Sequence, residues 1–179
     1  MNLQNKIDKL RSFLFSCFSL RLIRITIFVL FIIFVMGKLM AHISITKTDS
    51  LNDRVYFIDK PRDRILYGDI FVFDLKINQQ TFKVMKKIAC LPGNYLSLKN
   101  GQFFCNGSLI GTVNPRIAKQ SKIKVFQPEG VIKEGYYFMT GDTDDSYDSK
   151  YYGPVHRSRF KKQAFSIYQF FKNLLWMGK

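Results

Sequence analysis

From residue 25 the chain runs Ile25-Thr26-Ile27-Phe28-Val29-Leu30-Phe31-Ile32-Ile33-Phe34-Val35-Met36-Gly37, then weakens through Lys38, Leu39, Met40 and Ala41. A membrane-crossing helix requires about 20 apolar residues. This run is short of that, but Arg24 and Lys38 at its ends can snorkel toward the interface. Two readings remain: an uncleaved anchor over residues 25–41, or the apolar region of a cleaved secretory signal peptide. The lack of a clear small-x-small site after the run favours the anchor. Both readings put the remainder outside the cytoplasm, and the positive-inside rule leaves the N-terminus inside. Residues 1–24 then form a basic, partly amphipathic cytoplasmic segment.

From residue 43 the texture changes to short alternating runs broken by turn signals, the pattern of β structure. Val55–Ile58 reads as a strand ending at Asp59-Lys60-Pro61. Tyr67-Gly68-Asp69 is a turn before Ile70–Phe73, and Asn78-Gln79-Gln80 separates that strand from Thr81–Ala89. Tyr95–Leu98 and Gln102–Cys105 form a hairpin about Asn100-Gly101, since that pair favours a tight turn with two positive φ angles. Asn106-Gly107 marks another reversal. Residues 110–130 are weakly patterned and read as a surface excursion. Gly135–Met139 reads as a core strand. The predicted architecture is mainly β: an extracytoplasmic domain over 42–162, then a tail over 163–179. Ala164–Met177 in that tail reads as an interfacial or partner-facing helix.

Composition narrows the function classes. Of 179 residues, 47% are hydrophobic and 16% aromatic, which excludes a disordered chain. The formal net charge is +15, which suits nucleic acid, an anionic membrane surface or plain solubility. Much of the charge sits at the ends, and the first basic cluster abuts the apolar run, so the lipid bilayer is the expected partner and nucleic acid is not. Of three cysteines, Cys90 and Cys105 lie in the exported part, where disulfides persist. They flank the hairpin, and the sequence leaves open a bridge or two buried thiols.

The candidate chemistry begins with Gly141-Asp142-Thr143-Asp144-Asp145-Ser146-Tyr147-Asp148-Ser149-Lys150-Tyr151-Tyr152-Gly153. It is too acidic for a core and too aromatic for a plain linker. It lacks the spacing of a calcium loop. No Cys/His spacing suits zinc, and the two histidines, His42 and His156, give poor support to a Ser-His-Asp triad. Alternation along Phe82–Ile88 puts Phe82, Val84, Lys86 and Ile88 on one face and Lys83, Met85 and Lys87 on the other. Lys86 is thus the lysine on the apolar face. Burial lowers an ammonium pKa, and a neutral amine is what a serine nucleophile needs as its base. The plainer alternative is a lysine snorkelling from a strand edge. Ser50, close after the apolar run, is the candidate nucleophile. Its own N–H and the Thr48 hydroxyl are candidate oxyanion donors.

These segments together resemble the bacterial signal peptidase I family, and within it the conjugative-transfer (TraF-type) signal peptidases. Tyr67–Phe73 is similar to the family's Gly-Asp-apolar strand. Lys86-Lys87-Ile88-Ala89-Cys90-Leu91-Pro92-Gly93-Asn94 is similar to its lysine box, and Gly141–Gly153 to its last box. The resemblance implies an antiparallel β catalytic domain of signal-peptidase type behind one N-terminal transmembrane helix, held in the bacterial inner membrane, with no cofactor and no metal. It implies a Ser50–Lys86 dyad, with Ser146 orienting the lysine and Asp148, Asp142 and Lys150 supporting the site. The implied substrate is an exported precursor such as a prepilin, with conjugative-transfer or type IV secretion proteins as further partners. Cys90 and Cys105, with Phe104-Cys105-Asn106-Gly107, resemble the transfer branch. The chain departs from the family in lacking a proline shortly after Ser50. Lys87 and Lys150 also stand where arginines are usual, and lysine cannot make the bidentate carboxylate fork. These departures motivate an alternative, a catalytically impaired relative acting as a structural component.

Overall fold

A computed structural model describes residues 3–46, 50–77, 79–120, 123–128 and 130–170. The chain falls into two compact units divided after His42. The first is one helix, α1, over Leu3–Met40. Within it, Leu20–Met40 is a stretch of 21 residues long and apolar enough to cross a membrane. At 1.5 Å per residue it spans about 31 Å, close to the thickness of a bilayer's hydrocarbon core. The apolar stretch therefore starts five residues before the run read from sequence, because Arg21 and Arg24 interrupt it without ending it.

The second unit is mostly antiparallel β, as the alternation predicts. Its larger sheet has seven strands in the order β1-β2-β11-β3-β4-β9-β10. They are β1 (Ile43–Ile45), β2 (Val55–Asp59), β3 (Ile70–Ile77), β4 (Gln80–Cys90), β9 (Tyr136–Thr140), β10 (Val155–His156) and β11 (Phe160–Ser166). The smaller sheet has the order β7-β6-β5-β8, from β5 (Tyr95–Lys99), β6 (Gln102–Cys105), β7 (Ser108–Thr112) and β8 (Gly130–Val131). Among the described residues the unit also holds two short α-helices, α2 (Pro115–Gln120) and α3 (Ser149–Tyr152), and a 3-10 turn over Arg157–Arg159. Asn100 and Gly101 both have positive φ between β5 and β6, and Asn106 and Gly107 do the same between β6 and β7. These are the Asn-Gly turns read from sequence, with the twist that suits paired strands. The Asn78 part of the β3–β4 turn lies outside the described residues; Gln79 beside it has positive φ.

The β3 strand is buried on both faces. Phe71 and Phe73 join Ile88, Tyr137, Met139, Val155 and Phe160 in one core cluster. On the other face, Ile70 packs with Leu51, Tyr56, Ala164 and Met85. A third cluster, with Cys90, Leu96, Phe103 and Phe138, joins the two sheets. Across it Cys90 of β4 is bonded to Cys105 of β6, with their Cα atoms 5.8 Å apart.

Two segments differ from expectation. The boundary drawn between domain and tail at 162/163 is crossed by β11, which pairs with both β2 and β3. Gln163 and Ala164 are buried there, and the Gln163 side chain accepts the Arg62 N–H at 3.0 Å. A bulge between Phe160 and Lys162 breaks the period of two, and a buried glutamine disguises the core face. A helical turn begins only at residues 167–170, and the rest of the expected tail helix, 171–177, lies outside the described residues. The expected surface excursion at 110–130 contains the end of β7 and α2. Asn114 caps α2 by accepting the Arg116 N–H at 2.9 Å, and Pro115 takes the first helical position.

The disulfide closes a loop with a sequence separation of 15, so its removal costs about 3 kcal/mol through the entropy of the unfolded chain. Replacing both cysteines by alanine is expected to lower the Tm of the full chain in detergent micelles by roughly 10 °C. An unchanged Tm would show that the hydrophobic cluster alone joins the sheets.

Candidate active site

Lys86 lies opposite Phe71 in the β3–β4 ladder, on the side of β4 that also carries Val84 and Ile88 toward the Phe71 cluster. Met85 packs with the cluster on the other face. The alternation read from sequence therefore assigns Lys86 its face correctly. The side chain is enclosed, at 4% exposure, and is no edge lysine reaching for solvent. Its Nζ donates to Ser146 Oγ at 2.8 Å. Burial pushes its pKa from the usual 10.5 down to about 8. The Asp148 carboxylate opposes that shift, the Lys150 cation adds to it, and Asp142 opposes it.

The acidic segment after β9 folds around that amine. Asp148, fully buried, is the N-cap of α3 and accepts the Lys150 N–H at 3.1 Å. Its other oxygen takes two donors, Lys150 Nζ at 2.6 Å and Gly141 N–H at 3.0 Å. The Lys150 side chain is buried with it. Breaking such a pair by deleting one partner typically costs 3–5 kcal/mol, roughly a third of a domain's stability, because the other charge stays buried. Ser149 Oγ accepts the Met139 N–H at 3.0 Å and joins the segment to β9. Tyr147 stacks on Tyr151 with centroids 5.5 Å apart, and the Tyr151 hydroxyl accepts the Asn114 N–H at 3.0 Å.

The Ser50 loop is attached through Asp142. The Asp142 N–H donates to Ser50 O at 2.7 Å, and Asp142 Oδ2 accepts the Asn52 N–H at 3.1 Å. Asp142 Oδ1 is ion-paired with Lys87 Nζ. Asp142 thus holds both sides of the turn, the Ser50 side through its backbone N–H and the Asn52 side through its carboxylate. Lys87 carries its ion pair on the opposite face of β4 from Lys86.

Gly141 shows how close these pieces come. A Cβ there would stand 2.2 Å from Ser146 Oγ and 2.4 Å from Ser50 O, closer than any side chain can be accommodated against a backbone oxygen. The Ser50 carbonyl and the Ser146 side chain thus close on one glycine, and Ser146 in turn receives the Lys86 amine. Thr48, the other expected oxyanion donor, lies outside the described residues. Sequence reasoning missed the Asn52 and Gly141 contacts, because neither residue carries a chemical group that draws attention. The arrangement offers a desolvated amine, held by Ser146 and with its neutral form accessible near neutral pH, and a separate turn at Ser50 fixed by Asp142.

A family model described as "Signal peptidase, peptidase S26" matches residues 16–169. Signal peptidase I of Aquifex aeolicus (strain VF5) is 23% identical over 120 residues, covering 66% of this chain and 44% of that protein. The match therefore spans less than half of that relative's length. Among solved structures, a signal peptidase I from Enterococcus faecalis V583 aligns with a TM-score of 0.38 and 21% identity, over 56% of this chain and 96% of that one.

The lowered Lys86 pKa has a stability consequence. Between pH 8 and 10.5 the unfolded lysine is protonated and the folded one is not, so the unfolded state binds more protons and stability rises with pH. Below pH 8 the folded state bears the full cost, about 3 kcal/mol. Lys86→Met is expected to exceed wild type by about that amount at pH 7 in denaturant unfolding, with the gap closing as pH approaches 10.5. A variant no more stable than wild type at pH 7 would contradict a desolvated lysine.

Proposed function

The chain belongs to the signal peptidase S26 family, and from that premise and the buried Lys86–Ser146 contact we propose a membrane-anchored serine endopeptidase that removes leader peptides from exported precursors. In this reading Ser50 Oγ attacks the scissile carbonyl carbon and Lys86 Nζ takes its proton. The oxyanion is held by the Ser50 N–H and the Thr48 hydroxyl. Collapse of the tetrahedral intermediate breaks the C–N bond, and the Lys86 ammonium returns the proton to the leaving amine. The acyl-enzyme is then resolved by water, with Lys86 again the base. Ser146 fixes the amine's direction, and Asp148 with Lys150 holds the segment bearing Ser146.

The observation that carries this reading is the enclosure of Lys86, 4% exposed with its Nζ 2.8 Å from Ser146 Oγ, a burial that pushes its pKa down to about 8. At pH 7 roughly 10% of such a lysine is neutral, against about 0.03% for one at 10.5. Desolvation therefore supplies about a 300-fold gain in competent base. The family is membrane-anchored, and α1 contains the apolar stretch such an anchor needs. We place its N-terminus in the cytoplasm from the basic residues that precede the stretch. The substrate is assigned to the conjugative-transfer or type IV secretion class, a pilin or another exported component. The Cys90–Cys105 bridge and the Phe104-Cys105-Asn106-Gly107 sequence support that assignment by resembling the transfer branch.

The test is processing of a prepilin co-expressed with the full chain, with the product mass read by mass spectrometry. Wild type is expected to cleave, Ser50→Ala to give no product, and Lys86→Ala to lose roughly 10²–10⁴-fold. The wild-type kcat/KM should rise with pH and level off above about 8, since the neutral amine is the active form. Equal processing by all three would sink the dyad. A fragment from the N-terminal side of the cut one water lighter than its linear form would identify cyclisation, attack by that fragment's own amino end on the acyl-enzyme, as the second half-reaction.

A further inference from the structure

Gly111, in β7, is a glycine whose backbone does not call for one. Gly68, Gly93, Gly101, Gly107, Gly130, Gly135 and Gly153 all have positive φ, and Gly111 does not. The space over it explains its identity instead. A Cβ at 111 would meet three atoms first: Lys150 Cδ at 3.3 Å, Nζ at 3.7 Å and Cε at 3.9 Å. All three belong to one side chain, which is 3% exposed and ends on Asp148. The Lys150 carbonyl is held as well, accepting the Phe126 N–H at 2.9 Å. Gly111 thus floors a slot in the smaller sheet along which the Lys150 stem lies.

The slot is held in place from several sides. Gly111 pairs with the buried Phe103 of β6, at a bulge in the β6–β7 register. Phe103 packs on Phe138 of β9, with ring centroids 5.1 Å apart. The β6 strand is bonded through Cys105 to Cys90, four residues beyond Lys86 on β4. From Lys150 the connection runs through Asp148 to the Gly141 N–H, and Gly141 abuts Ser146, which receives the Lys86 amine.

We propose that Gly111 is a positioning residue for the peptidase reaction: the side chain it lacks leaves the slot that lays Lys150 against Asp148, making the smaller sheet one wall of the Lys86 network. This rests on the serine–lysine reading above. The charged groups facing Lys86 are Asp148 before α3, Lys150 within α3 and Asp142 after β9. Filling the slot moves the Lys150 cation away. The charge that lowers Lys86 then recedes, and the Asp148 carboxylate acts on it less opposed. The expected direction is upward for Lys86 and toward higher pH for the rate.

The experiment uses the full chain in micelles with Gly111→Ala and Gly111→Val, each alone and in a Lys150→Ala background. Two readouts are taken against pH: kcat/KM on the cleaved precursor, and the ¹³Cε shift of Lys86 in lysine-labelled protein, assigned with Lys86→Met. Gly111→Val is expected to raise the Lys86 midpoint above about 8, move the rate limb equally and lower kcat/KM at pH 7 about tenfold. Gly111→Ala, whose Cβ presses a stem that can yield slightly, should give about threefold in the same direction, and carries the test if valine prevents folding. Neither should move Lys86 further once Lys150 is alanine. An unmoved Lys86 midpoint in the alanine and valine variants, or equal effects with and without the Lys150 side chain, would overturn the slot. Full activity in Lys86→Met would instead overturn the serine–lysine reading, and the Lys86 resonance would still report on the slot.

Discussion

A lysine nitrogen held out of water, 2.8 Å from a buried serine hydroxyl, is the constraint to which the surrounding structure answers. An ammonium in that position is costly, so the fold must enclose the group, keep it aimed and tolerate its charge. Enclosure comes from β4 running through the sheet between β3 and β9, with Phe71 directly across the ladder. Aim comes from Ser146. Tolerance comes from Asp148, whose attraction is tempered by the Lys150 cation bound to it. If Asp148 faced Lys86 alone, the lysine would be held more firmly charged and would be a poorer base. A second buried lysine therefore complements the first.

The same carboxylates organise the backbone. Asp148 caps α3 and fixes Gly141, while Asp142 holds the Ser50 and Asn52 sides of the candidate nucleophile turn. A turn that lacks proline is thereby held by one residue, through its backbone N–H on the Ser50 side and its carboxylate on the Asn52 side. That carboxylate is itself bound to Lys87, the neighbour of Lys86 on the opposite face of β4. One strand thus contributes both the proposed base and the cation that anchors the opposite carboxylate. The lysines standing where the family uses arginine engage their carboxylates through single ammonium contacts, and at 150 a glycine in the second sheet makes room for the stem.

Much of this was legible in the sequence where one physical rule dominates. The period of two assigns Lys86 to the core face and Lys87 to the other. The Asn-Gly pairs mark the β5–β6 and β6–β7 reversals because positive φ at two successive residues strongly favours them. The β11 strand was not legible: a bulge breaks its alternation, and Gln163 is buried because its carbonyl satisfies a backbone N–H far away in sequence. Gly111 and Gly141 were not legible as spacers, since what excludes a side chain there is an atom that only folding brings near. The state of Cys90 and Cys105 was open because pairing depends on a distance between two sheets.

Covalent capture of the nucleophile tests the central claim most directly. A signal-sequence peptide ending in a serine-reactive electrophile would be incubated with the full chain across pH 6 to 10, and the modified residue located by mass spectrometry. The account predicts modification at Ser50, a rate that rises with pH through a midpoint near 8, and no modification in Lys86→Met. Modification at another residue, or an unchanged rate at Ser50 without Lys86, would contradict it.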